Sequence, residues 1–169
     1  MMSTKTDYET RAKKFIQQIY PYLQNRKGHL AREIAVLDFN CDYHRNVKYR
    51  HGIARYALIT SDYVVKVTFD QKEAERFGGG DEEIALYTRA QEDGMDYLFA
   101  KITRYTYQNM NFDIMPRIYN IEKTKYDAWR FMTEREFKWC RSHNLYDLHN
   151  ANYGWKDGHI VIIDYAAYN

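Results

Sequence analysis

Asp147, Asn152 and Asp164 are the residues of this chain whose types and spacing could do chemistry together. Asp147 and Asn152 sit five apart in a polar loop, Tyr146-Asp-Leu-His-Asn-Ala-Asn-Tyr-Gly154, just after a helical stretch. Asp164 closes the apolar run Ile160-Val-Ile-Ile-Asp-Tyr165, and the turn Lys156-Asp157-Gly158 folds that run back toward the loop. Three oxygen donors therefore converge at one end of a hairpin. Donors of that kind suit Mg²⁺, which takes one or two carboxylates and leaves its other positions to water and substrate phosphates. Upstream, Val64-Val65-Lys66-Val67 puts a cation inside a strand whose alternation sets Val64 and Lys66 on one face. Glu83 opens a helix, with Leu86, Tyr87 and Ala90 three, four and seven residues on as its buried stripe. Taken singly, each residue has an ordinary structural reading. A strand Lys is a solvated edge residue, Glu83 a carboxylate favoured by the helix dipole, and His149 a packed structural histidine. Asp147 and Asn150 read as turn or cap residues, Asp164 as a strand end, and Gly78 to Gly80 as an anion-binding nest or a connector.

The elements that must position these residues follow from pattern. Tyr8, Ala12, Phe15, Ile16, Ile19 and Leu23 have helical spacing and predict an amphipathic helix over Asp7 to Leu23. Ala31 to Arg50 is mixed, with a short apolar piece from Ile34 to Phe39, and yields no assignment. Arg55 to Thr60 and Tyr63 to Phe69 read as an antiparallel hairpin about Ser61-Asp62. Asp81 serves as N-cap of a helix to about Gln91, stopped near Gly94. Leu98 to Tyr107 and Asn111 to Arg117 are two further strands, the second ending at Met115-Pro116. From Lys123 to His143 the spacing of Tyr126, Trp129, Thr133, Phe137 and Cys140 predicts one long, well-buried helix. Strands at Tyr153 to Trp155 and His159 to Tyr165 complete the chain.

Length and composition bound the function. At 169 residues and 45% hydrophobic content, one domain with a real core is expected. The 25 Lys and Arg against 23 Asp and Glu leave a net charge of +2, which supplies no strong signal for a nucleic-acid partner. No apolar run reaches the roughly 18 residues of a membrane span, and residues 1–14 are polar, so no membrane partner is expected. Cys41 and Cys140 stand far apart, in neither disulfide-scaffold nor zinc-ligand spacing, and point to a reducing cytoplasm. Seventeen Tyr and two Pro mark a folded chain, because amphipathic rings need packing partners.

The segment Asp147-Leu148-His149-Asn150-Ala151-Asn152, with Asp164-Tyr165-Ala166 seventeen residues after Asp147, resembles the catalytic loop and metal-binding Asp of the protein-kinase-like superfamily, which includes the aminoglycoside and choline phosphotransferases. Val64-Val65-Lys66-Val67 looks like the strand whose Lys pairs the α- and β-phosphates of ATP, with Val64 lining the adenine. Glu83 is then the partner of Lys66, and Glu82 the alternative after a one-residue helix rotation. Phe112 to Arg117 resembles the hinge-side strand, whose backbone at Met115 to Arg117 would carry the adenine hydrogen bonds. The likeness covers roughly residues 50 to 166. It implies an α+β, bilobal, kinase-like fold within a single domain over 1–169: an antiparallel-sheet N-lobe to about 116, a hinge at about 115–120, and a reduced, mostly helical C-lobe over 121–169.

The resemblance implies an ATP- and Mg²⁺-dependent phosphotransferase, with a hydroxyl on a protein or a small molecule as acceptor. Lys66 would position phosphates, Asn152 and Asp164 would hold Mg²⁺, Asp147 would accept the proton of the acceptor hydroxyl or orient it, and His149 would help with γ-phosphate charge. There are departures. Only Gly52 stands where a Gly-x-Gly-x-x-Gly loop would cover the phosphates, and Leu145 and Tyr146 hold the His and Arg positions of the protein-kinase motif. Five residues follow Asp164, so the expectation is a chain without activation segment or peptide-docking helices, similar to small kinase-like proteins of bacteriophages. Two alternatives stay open: a pseudokinase-like module that binds nucleotide or protein without catalysis, and an adenylyltransferase on the same fold.

Overall fold

The computed structural model describes residues 7–52, 55–68, 80–119 and 126–165. The Gly78-Gly79 part of the glycine run and Ala166 lie outside them. Among the described residues the protein is α+β, with four α-helices, a five-stranded antiparallel sheet and a two-stranded hairpin. The chain divides into two compact units, one made of residues up to 71 with 103–117, the other of 72–102 with 118 onward.

The first unit holds α1 (Asp7–Leu23), α2 (His29–Tyr43), β1 (Lys48–His51), β2 (Arg55–Ile59), β3 (Tyr63–Thr68), β4 (Thr103–Tyr107) and β5 (Met110–Pro116). Its strands run in the order β1-β2-β3-β5-β4. The alternation expected for β3 is present: Tyr63, Val65 and Val67 are buried, while Val64, Lys66 and Thr68 turn to the other face. The buried face joins Ala12, Phe15, Ile16 and Ile19 of α1 and Ala35, Val36 and Phe39 of α2 in one core with Leu58, Phe112 and Ile114. Helix α1 has the bounds its spacing predicts, because its apolar residues form a single stripe.

The stretch left unassigned from sequence is α2 followed by β1. Leu30, Ile34 and Leu37 are exposed on the outer face of α2, so apolar residues lie on both sides of the helix and blur its period. Its exit is built by polar groups. His44 takes a left-handed conformation, and the Asn40 side chain both donates to Val47 O and accepts from Val47 N–H, at 2.9 and 3.0 Å.

The second unit holds α3 (Gly80–Glu92), a 3₁₀ turn at Asp96–Leu98, a second at Ala128–Phe131, α4 (Glu134–Ser142), β6 (Tyr153–Lys156) and β7 (His159–Ile162). Three expectations are corrected here. The long, buried helix over Lys123 to His143 is, in its described part, a 3₁₀ turn and then the short α4, because Thr133 and Glu136 form a capping box that starts a new helix. Trp129, Phe131 and Phe137 are substantially exposed, and Cys140 is the buried residue of α4. The strand expected over Leu98 to Tyr107 begins only at Thr103, since Asp96–Leu98 closes as a 3₁₀ turn. The last strand stops at Ile162, two residues before Asp164. Among the described residues no helix is long and apolar enough to cross a membrane.

Candidate functional site

In the second unit the site begins at the end of α4. Asn144 sits at φ 60°, its N–H donating to Arg141 O at 3.2 Å while Leu145 N–H donates to Cys140 O at 3.0 Å. This is a Schellman ending with Asn in the left-handed position and Leu145 packed inward as its apolar contact. The chain is thereby turned so that Leu145 and Leu148 are buried while Tyr146 and Asp147 face outward. Leu148 O accepts from Ala128 N–H at 2.7 Å, which pins the loop from behind.

Asn152 ties the two halves of the site together. Its side-chain amide donates to Asp147 O at 2.9 Å, and its own carbonyl accepts from Ile163 N–H at 2.8 Å and Asp164 N–H at 3.5 Å. The hairpin between them closes through Asp157 and Gly158, both at positive φ, as a two-residue turn requires. Gly154 permits a close approach. A Cβ there would stand 2.6 Å from Ile118 Cγ2 and 2.9 Å from Tyr119 O, where Trp155 N–H donates to that same carbonyl.

Asp164 is held from both sides. Before it, Ile162 O accepts from Ala100 N–H at 2.9 Å. After it, Tyr165 is buried, its hydroxyl donating to Ala100 O at 2.8 Å and its N–H to Glu83 Oε1 at 3.3 Å. Of the two carboxylates at the start of α3, Glu83 is the enclosed one, at 0% exposure, and Glu82 is half-buried. Asp147, Asn152 and Asp164 line one cavity of about 310 Å³, with Tyr146 and Tyr165 among its walls. The convergence expected from sequence is present. His149 stands beside Asp147 and is not among the lining residues: its Nδ1 accepts from Ala151 N–H at 3.1 Å, which leaves the ring proton on Nε2, 3.4 Å from Asp147 Oδ1.

In the first unit, Val64, Lys66 and Met115 share the sheet face turned away from α1 and α2. Register puts Lys48, Ile59, Val64 and Met115 in one row across the strands, and Arg50, Ala57, Lys66, Asp113 and Arg104 in the next. Arg55 and Thr68 open a third row. Along the strands the face thus passes from a row that is apolar apart from Lys48 on β1 to rows that carry Arg50, Lys66, Arg104 and Arg55. Arg117, at the end of β5, is engaged locally: its N–H donates to Asp62 O at 3.0 Å and its guanidinium to Thr60 O at 2.6 Å.

Sequence reasoning missed Asp113, Arg55 and Arg104. Asp113 is 1% exposed in the middle of β5, and Arg104 meets both its oxygens, Nε to Oδ1 at 2.8 Å and Nη2 to Oδ2 at 3.1 Å. Arg55 Nη1 lies 3.6 Å from Oδ2. The available signal was a carboxylate between Phe112 and Ile114, a charge that an apolar strand carries only with partners.

Asp147, Asn152 and Asp164 offer carboxylate and amide oxygens, a donor set that matches Mg²⁺ chemistry and not that of zinc. Among the described residues no three His, Cys, Asp or Glu side chains cluster as a metal cage, so a cation here would draw its remaining ligands from water and phosphate. No protein-family model matches this chain, and a search of curated proteins returns no match.

Proposed function

We propose that the protein is an ATP- and Mg²⁺-dependent phosphotransferase with a kinase-like fold and a reduced C-terminal lobe. The observation that carries this reading is the cavity on which a post-helix loop and a post-hairpin segment bring Asp147, Asn152 and Asp164 together. Two features of the first unit support it. The sheet order β1-β2-β3-β5-β4, with a helix between β3 and β4 in the chain, fits the family's N-terminal lobe. The graded sheet face fits a ligand with a flat apolar base at one end and anionic phosphates at the other.

Asn152 and Asp164 would hold Mg²⁺, which when bound neutralises charge on the phosphates. Lys66 takes the α- and β-phosphates, and Val64 and Met115 meet the base. In the transfer, an acceptor hydroxyl oxygen bonds to the γ-phosphorus, the bond to the bridging oxygen breaks, and ADP leaves with its electron pair. The hydroxyl proton passes to Asp147, with His149 Nε2 3.4 Å from its Oδ1. Glu83 acts at one remove: by accepting from Tyr165 N–H it fixes the backbone that carries Asp164. The acceptor is a hydroxyl on a protein or a small molecule.

Nucleotide binding with and without Mg²⁺ tests the reading. Wild type should bind ATP more tightly with Mg²⁺ than without, and Asp164→Ala should lose that difference while keeping its fold. ATP affinity indifferent to Mg²⁺ in the wild type would remove the assignment.

A further inference from the structure

The phosphotransferase reading leaves one problem, and the inference drawn here rests on that reading. A glycine-rich loop grips phosphates with a run of backbone amides, and the connection between β1 and β2, where such a loop would lie, is short. His51 of β1 is the register partner of Tyr56 of β2, and Gly52 N–H donates to Arg55 O at 2.8 Å. Only residues 53 and 54 remain between those two bonded positions.

Side chains on the same sheet face offer another grip. Arg55 is the first residue of β2, and it pairs in register with Thr68, while Ala57 pairs with Lys66. Arg55 and Lys66 are therefore diagonal neighbours on one face, about 7–8 Å apart at Cα. Lys48, Arg50 and Arg104 stand on that face as well, and Asp113 is its single carboxylate among the paired strand positions. The face therefore carries a large positive surplus, although the whole chain is nearly neutral.

Asp113 gives the cluster its geometry. Its side chain is 2% exposed and that of Arg55 11%, so the 3.6 Å ion-pair contact between them lies away from bulk water, where charge attraction is little screened. Arg104 holds Asp113 in turn with a two-point contact. The result is an arginine kept near this buried carboxylate, diagonal in register to the strand lysine. It lies four residues along β2 from Ile59 in the apolar row, about 13 Å of strand, at the end where phosphates would lie with the base on Val64 and Met115. A planar guanidinium is the side chain best matched to phosphate oxygens.

We propose that Arg55, braced by Asp113 and Arg104, forms with Lys66 a side-chain clamp for the polyphosphate of a nucleotide, in place of a backbone-amide cradle. The clamp acts on phosphates and leaves recognition of the base to the apolar row.

The test measures binding of ATP, ADP, AMP and adenosine to the full chain, for wild type, Arg55→Gln and Arg55→Lys, with thermal unfolding of each variant recorded. Wild type should prefer ATP and ADP to adenosine. Arg55→Gln should lose about tenfold or more in affinity for ATP and ADP, the effect of removing a charged hydrogen-bond donor, with adenosine affinity unchanged. Arg55→Lys keeps a charge beside Asp113 and so guards against simple unfolding. It should weaken ATP less than Arg55→Gln does and leave adenosine alone. Equal losses for ATP and adenosine in the folded variants would make Arg55 a structural residue, and no loss for either would remove it from the site. Both outcomes overturn the clamp while leaving the phosphotransferase reading intact. A wild type that binds no adenine nucleotide overturns that reading itself.

Discussion

Asp164 owes its position to its neighbours more than to itself. Tyr165 is anchored at both its N–H and its hydroxyl, Ile162 is bonded to Ala100, and the exposed carboxylate between them is held without being enclosed. The two cysteines show the opposite contrast. Cys140 is buried, and burial pushes its thiol up to about 12, whereas Cys41 is exposed on α2. A thiolate-directed reagent at neutral pH should therefore modify one cysteine, Cys41, in the native protein and both after denaturation, as mass spectrometry would count. Rapid native labelling of Cys140 would contradict the packing of α4. At this scale the sequence was informative where residues act locally. Asp147, Asn152 and their hairpin partner Asp164 are linked by a short loop and an Asp-Gly turn, so their convergence follows from spacing. Asp113, Arg55 and Arg104 belong to three strands, and their meeting depends on a register that no local pattern specifies.

Helix α4 shows how an element can be set by its cap. Thr133 accepts from Glu136 N–H at 3.3 Å, and Glu136 accepts from Thr133 N–H at 2.7 Å and from the Tyr97 hydroxyl at 2.8 Å. Partial burial alone would raise the Glu136 carboxyl, but the bonds from Thr133 and Tyr97 outweigh it and hold the group below its ordinary value. A carboxylate lowered by folding adds stability above its unfolded pKa, and that stability is lost as pH falls through the folded value. Thr133→Ala should cost about 1 kcal/mol in urea unfolding near neutral pH. The deficit of Glu136→Gln should shrink as pH falls below the ordinary carboxylate range and through the lower folded value, where the native carboxylate is itself protonated. A deficit independent of pH would exclude the ionised cap. Gly154→Ala should cost about 1–3 kcal/mol in the same assay, since the added methyl would press on Ile118 and Tyr119. Elements were legible in proportion to the cleanness of one face. Helix α1 has a single apolar stripe, α2 exposes Leu30, Ile34 and Leu37, and the aromatic residues before α4 mimic a helical period that the capping box interrupts.

For the molecule as a whole, chemistry-bearing residues are distributed over two units, each organised around its own feature. One presents a sheet face that grades from Val64 and Met115 to Lys66 and Arg55. The other presents the cavity of Asp147, Asn152 and Asp164. A net charge of +2 conceals this arrangement, because the cations of β1, β2, β3 and β4 gather on one face. The α+β class implied by the resemblance agrees with the described helices and strands, whereas the sheet's strand order needed the pairing of β3 with β5. The most direct test is label transfer from Mg²⁺-ATP, with γ-labelled and α-labelled nucleotide in parallel, to the protein itself and to components of a bacterial lysate. Wild type, Lys66→Ala and Asp164→Ala are compared. Transfer of the γ label by wild type, abolished in both folded variants, is the predicted result. Transfer of the α label alone would mean AMP transfer, and absence of transfer from either label, or full transfer by Asp164→Ala, would contradict the phosphotransferase account.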